Sequence, residues 1–234
     1  LLNDTGFAKE VVEQLEDEDL QDFWRNELGK AGAMQRVKMS SGITAKIGRF
    51  LFSASARAML EQTDSTLDFN EVLDGKILIC NLSKGRLGED TSMLLGVTIL
   101  AKLQLAALRR AEKAQERRLP FYLYVDEFQN FATPSFTQLL SEARKYRLLL
   151  VMAEQSTQQQ ADQRMVEVIL ANVGTVVAFR TGSPKDEELL LPLFAPYIES
   201  GEIAGLPAYH FYCLVSGIEV QEPMSGETIL LDER

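Results

Sequence analysis

The pattern of apolar and polar positions changes character near residue 63. Through VVEQLEDEDLQDFWRNEL the apolar residues Val11, Val12, Leu15, Leu20, Phe23, Trp24 and Leu28 recur at close to helical spacing, with one interruption. Gly29 and Gly32 punctuate this run, and ITAKIGRFLFSASARAML resumes it. Residues 1–62 therefore predict a helical region of about four short helices with no strand-like alternation. Beyond it, LDFNEVLDGKILICNLS predicts a short helix, a turn at Asp74-Gly75 and a buried strand from Lys76 to Leu82. SMLLGVTILAKLQLAALRRAEKAQERR predicts a long helix that starts apolar and ends basic, the order its dipole favours, and Pro120 closes it.

A second strand follows in PFYLYVDEF, then a helix from Pro134 over PSFTQLLSEARKY and a third strand in RLLLVMAEQ. MVEVILANV predicts a helix ending near Gly174, and TVVAFRT a fourth strand. SPKDEELLLPLF predicts a helix behind a Ser-Pro cap, and AYHFYCLVSGIEVQEPM a hairpin turning at Ser216-Gly217. Strands that are apolar throughout, each followed by a helix, predict an α/β class with a mostly parallel sheet covered on both faces.

Composition narrows the picture. The 234 residues hold 24 Lys and Arg against 34 Asp and Glu, a net charge of −10, with 46% hydrophobic and 25% charged residues. Disorder is excluded as the main state, and an acidic total argues against a protein that coats nucleic acid. The charge is uneven: residues 1–28 carry nine acids and two bases, whereas 30–57 carry six bases and no acid. Cys80 and Cys213 lie in apolar runs, and no Cys or His cluster has metal-ligand spacing, which fits a reducing, cytoplasmic setting. His210 is the one histidine and reads as a strand residue in YHFYC. No apolar stretch reaches the length expected of a membrane helix, and no signal peptide is present. Because the chain starts at Leu1 rather than Met, an upstream part is expected.

Chemistry concentrates at strand ends. FYLYV leads into Asp126-Glu127, and ligand sites of open α/β sheets lie beyond the carboxyl ends of strands. Asp126 can hold Mg²⁺ through its water shell, and Glu127 can orient or deprotonate an attacking water. This is the Walker B pattern followed by a glutamate. The next strand ends in Gln155, an amide able to read a γ-phosphate, and the fourth in Phe179-Arg180-Thr181, which presents a cation. An acid pair, an amide and an arginine at successive strand ends are the constellation of a P-loop NTPase. No G-x-x-x-x-G-K-[ST] occurs in the 234 residues, so tight triphosphate binding by this chain alone is not expected.

These motifs carry a family resemblance. STLDFNEVLDGKILICNLSKGRLGEDTSMLLGVTILAKLQLAALRR, then VDEFQNF, SEARKY and NVGTVVAFR, resemble the HerA/FtsK-type ATPases, and within them the carboxyl-terminal part of the TraG-like coupling proteins of conjugation and type IV secretion. The resemblance covers about residues 50–216. It implies a RecA-like motor, hexameric when complete, that binds ATP and Mg²⁺ and moves DNA, single-stranded rather than duplex, with a relaxase or effector protein. Residues 1–62 would be the rear of an inserted all-helical domain, and 63–234 the end of the ATPase domain without its Walker A part. Asp126 then corresponds to the Walker B aspartate, Glu127 to the catalytic glutamate, Gln155 to a sensor and Arg180 to an arginine acting on nucleotide, at its own or a neighbouring subunit's site. Arg144, Lys145 and Arg147, on the helix after the acid-bearing strand, are candidates for DNA phosphate, as are Lys84 and Arg86 in the loop SKGRLGED. The basic run Arg109–Arg118 reads as a solvated helix end. The implied setting is cytoplasmic, at the inner membrane through an upstream segment, with no membrane segment in this chain. Two other readings share the sequence: a HerA-like motor that processes DNA ends with a nuclease, and a non-catalytic docking module.

Overall fold

The computed structural model describes residues 4–51, 53–133, 136, 140, 142–159, 163–217 and 221–230. The chain divides into two compact units, residues 1–65 with 82–92, and residues 66–81 with 93–234.

In the helical first unit, short polar side chains cap the starts of three helices. Asp4 accepts from the Gly6 and Phe7 amides at 3.0 Å ahead of α1 (Thr5–Glu13). Asp17 does the same for α2 (Glu18–Asp22), which runs on as a π-helical turn, Phe23–Leu28. α3 (Ala33–Leu51) follows, and Ser53 caps α4 (Ala54–Leu60). α3 is 19 residues long rather than short. Its interior Gly42 has open space around it, and no proline interrupts the run. The unit also holds α6 (Lys84–Leu87) and the first turn of α7 (Glu89–Arg109), where the Ser92 hydroxyl donates to the Leu82 carbonyl.

In the second unit Asp68 caps α5 (Phe69–Leu73), and Gly75, at φ +118°, makes the turn that follows. The expected strand Lys76–Leu82 does not form. The segment makes no ladder with any described strand, and Ile77 and Ile79 are 90% and 89% exposed. An apolar run becomes a buried strand only when a neighbour pairs with it, and pattern alone does not show the neighbour. α7 packs as a core helix, burying Leu95, Leu100, Leu103, Ala106 and Ala107. It is also long and apolar enough to cross a membrane by length and composition, which the sequence reading had denied.

β1 (Phe121–Val125) and β2 (Leu148–Met152) form a parallel pair, in register from Phe121 opposite Leu148 to Val125 opposite Met152. β3 (Thr175–Phe179), β4 (His210–Val215) and β5 (Met224–Glu227) form a separate antiparallel sheet in that order. The class is α/β, but the described strands give one parallel and two antiparallel pairings rather than a mostly parallel sheet. Nor is the sheet covered on both faces, since Tyr122, Tyr124, Val177 and Phe179 are exposed. The hairpin exists, but its return strand begins at Met224, with Cys213 opposite it, instead of directly after Ser216-Gly217. A β-carbon at Gly226 would meet the ring of Phe211 across the ladder at 2.6 Å, so the ring would have to shift. α8 (Gln163–Asn172) precedes β3 and α9 (Pro184–Phe194) follows it. Ser183 caps α9 through its carbonyl, which accepts from Asp186 and Glu187, and not through its side chain. The core beside β3 consists of Ala178, Phe194, Ile198, Ile203 and Leu206, with Tyr212 packed against it. Of the helix expected from Pro134, positions 134, 135, 137–139 and 141 lie outside the described residues; Phe136, Leu140 and Glu142 are helical, and Ala143–Tyr146 is a 3₁₀ turn.

The basic run after α7 is not simply solvated. Arg110 is 3% exposed, and its guanidinium donates to the carbonyls of Leu119 and Tyr146, both at 2.9 Å, and of Leu73. Burial lowers its pKa from the ordinary arginine value, while the Asp74 carboxylate 3.8 Å away opposes that shift. Arg118 donates to the carbonyls of Lys113 and Lys145 and stacks 5.7 Å from the Tyr146 ring centre. Arg110→Ala leaves three carbonyls without their charged donor and is expected to lower unfolding free energy by about 3 kcal/mol in chemical denaturation. Arg110→Lys is expected to recover less than half, because a single ammonium cannot fork between Leu119, Tyr146 and Leu73.

Candidate active site

The carboxyl ends of β1 and β2 are tied by backbone bonds that continue past the ladder. The Ala153 amide donates to the Val125 carbonyl at 3.0 Å, and the Phe128 amide donates to the Ala153 carbonyl at 3.0 Å. Between these two bonds the chain turns through Asp126 and Glu127, both exposed. Phe128 is what allows so tight a turn to hold. Its ring is buried, 4.7 Å from the ring of Phe136, and anchors the 3₁₀ turn Phe128–Asn130. Glu127 takes the left-handed conformation, φ 46° and ψ 47°, which costs a non-glycine residue about 1 kcal/mol.

Asn130 stabilises that conformation. Its side-chain amide donates to both the Glu127 carbonyl and the Glu127 carboxylate Oε2, each at 3.1 Å. The Asp126 carboxylate accepts from the Glu127 amide at 3.0 Å. Two carboxylates are thus presented to solvent at one strand end, one held from the side by an uncharged amide. Among the described residues no group of three or more His, Cys, Asp or Glu is arranged to hold a metal ion. The donor set suits a cation that takes one carboxylate and keeps most of its water, as Mg²⁺ does.

Gln155 stands two residues beyond Ala153 and is exposed. The loop behind it is pinned by Asp186, in the first turn of α9 and 4% exposed. The Ser156 hydroxyl donates to Asp186 Oδ2 at 2.8 Å, and the Thr157 amide and hydroxyl donate to Oδ1 at 3.0 and 2.5 Å. The adjoining Glu187, 8% exposed, faces elsewhere and accepts from the amides of Gly201, Ile203 and Ala204 at 3.0 to 3.2 Å. Arg180 is exposed directly after β3, whose ladder is with β4. The structure therefore joins Asp126, Glu127 and the segment leading to Gln155 through one backbone network. Among the described residues, α9 follows Arg180 and reaches that network through Asp186.

Arg144, Lys145 and Arg147 lie away from this edge. Arg144 and Lys145 occupy a 3₁₀ turn, Ala143–Tyr146, and Arg147 is left-handed at φ 55° immediately before β2. All three are exposed at the amino end of β2, separated from Gln155's end by the strand, about 16 Å at 3.3 Å per residue. Lys84 and Arg86 belong to α6 in the first unit, and Lys84 Nζ lies 3.7 Å from Glu89 Oε1. His210 opens β4 as a strand residue, with Nε2 3.9 Å from the Glu227 carboxylate. Sequence reasoning missed Asn130 and Asp186. Asn130 could have been suspected from its place three residues after Glu127, but Asp186 reads as an ordinary first-turn helix acid.

A family model described as the TraM recognition site of TraD and TraG matches residues 120–190, the stretch from β1 into α9. The chain resembles the carboxyl-terminal part of the TraG-like coupling proteins. Among solved structures, the bacterial conjugative coupling protein TrwB, lacking its amino-terminal 70 residues and unbound, superposes with a TM-score of 0.61 at 15% identity, over 94% of this chain and 57% of that one. The plasmid coupling protein TrwB in complex with ADP and Mg²⁺ gives 0.61 at 16% identity, over 97% and 59%. The same protein with a non-hydrolysable ATP analogue gives 0.60 at 17% identity, over 94% and 57%. The likeness is one of fold, and the chain spans a little under three-fifths of those structures. A comparison with curated sequences gives no significant match.

The packing separates two kinds of residue in the turn. Phe128→Ala is expected to cost about 3–4 kcal/mol of stability in denaturant titration, since it empties a buried aromatic site. Asn130→Ala, at an exposed hydrogen bond, is expected to cost less than about 1 kcal/mol.

Proposed function

We propose that this chain is part of an ATP-hydrolysing motor that moves DNA or nucleoprotein in conjugative transfer or type IV secretion. The observation that carries the reading is the exposed Asp126-Glu127 pair at the end of β1, backbone-bonded to the segment that leads to Gln155. TrwB, similar in fold over almost the whole chain, has been seen with ADP and Mg²⁺. Bound Mg-ATP supplies a phosphoanhydride whose cleavage can be coupled to movement.

The residues present fit the metal and water side of such a site. Asp126 would hold the hydrated cation, and Glu127, set by Asn130, would accept a proton from water. Gln155 donates to the terminal phosphate region, and Arg180 offers positive charge to nucleotide at its own or a neighbouring subunit's site. The chain's 234 residues contain no phosphate-loop motif, so the phosphate cradle is not among the groups assigned here. The working assembly is a hexamer acting in the cytoplasm beside the inner membrane. Arg144, Lys145 and Arg147 contact the phosphates of single-stranded DNA, a role suited to a fixed segment whose Lys145 and Tyr146 carbonyls are held by Arg118 and Arg110.

One observation favours a second reading, that of partner docking. The matching family model is described as a recognition site, and it spans residues 120–190, β1 and β2 included. Hydrolysis of Mg-ATP by the full-length protein, with and without single-stranded DNA, separates the two. The motor reading expects DNA-stimulated turnover that falls at least about 100-fold in Glu127→Gln while nucleotide affinity stays within about twofold. An assembled oligomer that binds partner protein but shows no turnover overturns the motor reading in favour of docking.

A further inference from the structure

Gln155 and Arg180 stand on different sheets, yet one buried carboxylate connects the segments that carry them. Asp186 accepts three hydrogen bonds from Ser156 and Thr157, the two residues after Gln155. Its own amide donates to the Ser183 carbonyl at 3.1 Å, closing the first turn of α9 three residues beyond Arg180. Pro184 at the start of α9 fixes φ there, and only Thr181 and Gly182 separate Ser183 from Arg180. Asp186 is 4% exposed, and a carboxylate at that depth is retained only where its acceptors are filled. We propose that Asp186 is a positioning residue that locks the loop after β2 to the start of α9, so that Gln155 and Arg180 shift as one unit. This rests on the motor reading for what the shift reports, and on the hydrogen bonds alone for the lock itself.

Glu187 supplies an internal control. It shares the helix, the burial and the count of three accepted bonds, but all of its bonds go to the turn at residues 201–204. A generic loss of a buried carboxylate on α9 would therefore be matched by Glu187→Ala. Asp186→Asn is the conservative variant, since its oxygen can still accept from the Thr157 amide and its NH₂ can donate to the Ser156 hydroxyl.

The test is amide hydrogen exchange on the 234-residue chain, followed by kinetics in the full-length protein. Asp186→Ala should raise exchange about tenfold or more at 155–158 and at 180–183 together, leaving 201–204 unchanged. Asp186→Asn should restore most protection, and Glu187→Ala should give the reverse pattern. If Asp186→Ala does not fold, Thr157→Val removes one donor from the other side and should loosen the same two segments to a smaller extent. In the full-length protein Asp186→Ala should lower kcat with little change in KM, and adding Gln155→Ala or Arg180→Ala should lower it little further. Exchange that rises at 155–158 alone overturns the lock, whatever the kinetics. Coupled exchange with additive kinetic effects keeps the lock but overturns its role in turnover, and Glu127→Gln independently reports on the motor reading.

Discussion

The second unit is organised around the guanidinium of Arg110. Three chain segments converge on it: the end of α5 at Leu73, the approach to β1 at Leu119 and the approach to β2 at Tyr146. These carbonyls lie at the ends of elements or in the connections before them, where a buried carbonyl without a donor is costly. One planar group with several fixed donors satisfies all three, which an ammonium or an amide could not do from the same place. Because β1 and β2 then enter the sheet from clamped positions, their parallel register is set before either strand begins. The turn at Asp126 and Glu127 inherits its position from that register.

Charge is therefore used differently at the two ends of the strands. At the amino ends, Arg110 and Arg118 face backbone carbonyls and are structural. At the carboxyl ends, Asp126 and Glu127 are exposed, and the buried acids lie behind them on α9, where Asp186 and Glu187 each take three donors. A buried ion is tolerated when its lone pairs or protons are used up, and an exposed one remains available for chemistry. Burial together with partner count, rather than sequence position, separates the two classes here.

Much of the second unit was legible because it rests on local signals. β1, β2, β3, α8 and α9 follow from apolar runs bounded by Pro, Gly and acidic residues, and Asp126-Glu127 from its place at a strand end. What was not legible depends on distant partners. Lys76–Leu82 has the composition of a buried strand and lacks a strand to pair with among the described residues. Arg110 lies in a basic run whose composition suggests solvent, and only the three carbonyls around it show otherwise. The pairing of β3 with β4, not with β2, is likewise a tertiary choice: both options satisfy the same hydrophobic pattern. Asn130 and Asp186 act through single side-chain bonds that no periodicity records.

The alternation within β1 carries a last consequence for the site. Phe121, Leu123 and Val125 turn toward the protein, while Tyr122 and Tyr124 are exposed. In a parallel pair, residues in register share a face, so Tyr124 lies beside the exposed Val151. Carrying the alternation one step further puts Asp126 on the open face. Phe128 returns to the interior and pulls the chain back, which is why Glu127 must adopt a left-handed turn. The acid pair is thus not a loop that happens to be exposed. Its direction follows from the pleat of β1, and its curvature from the one buried aromatic that ends it.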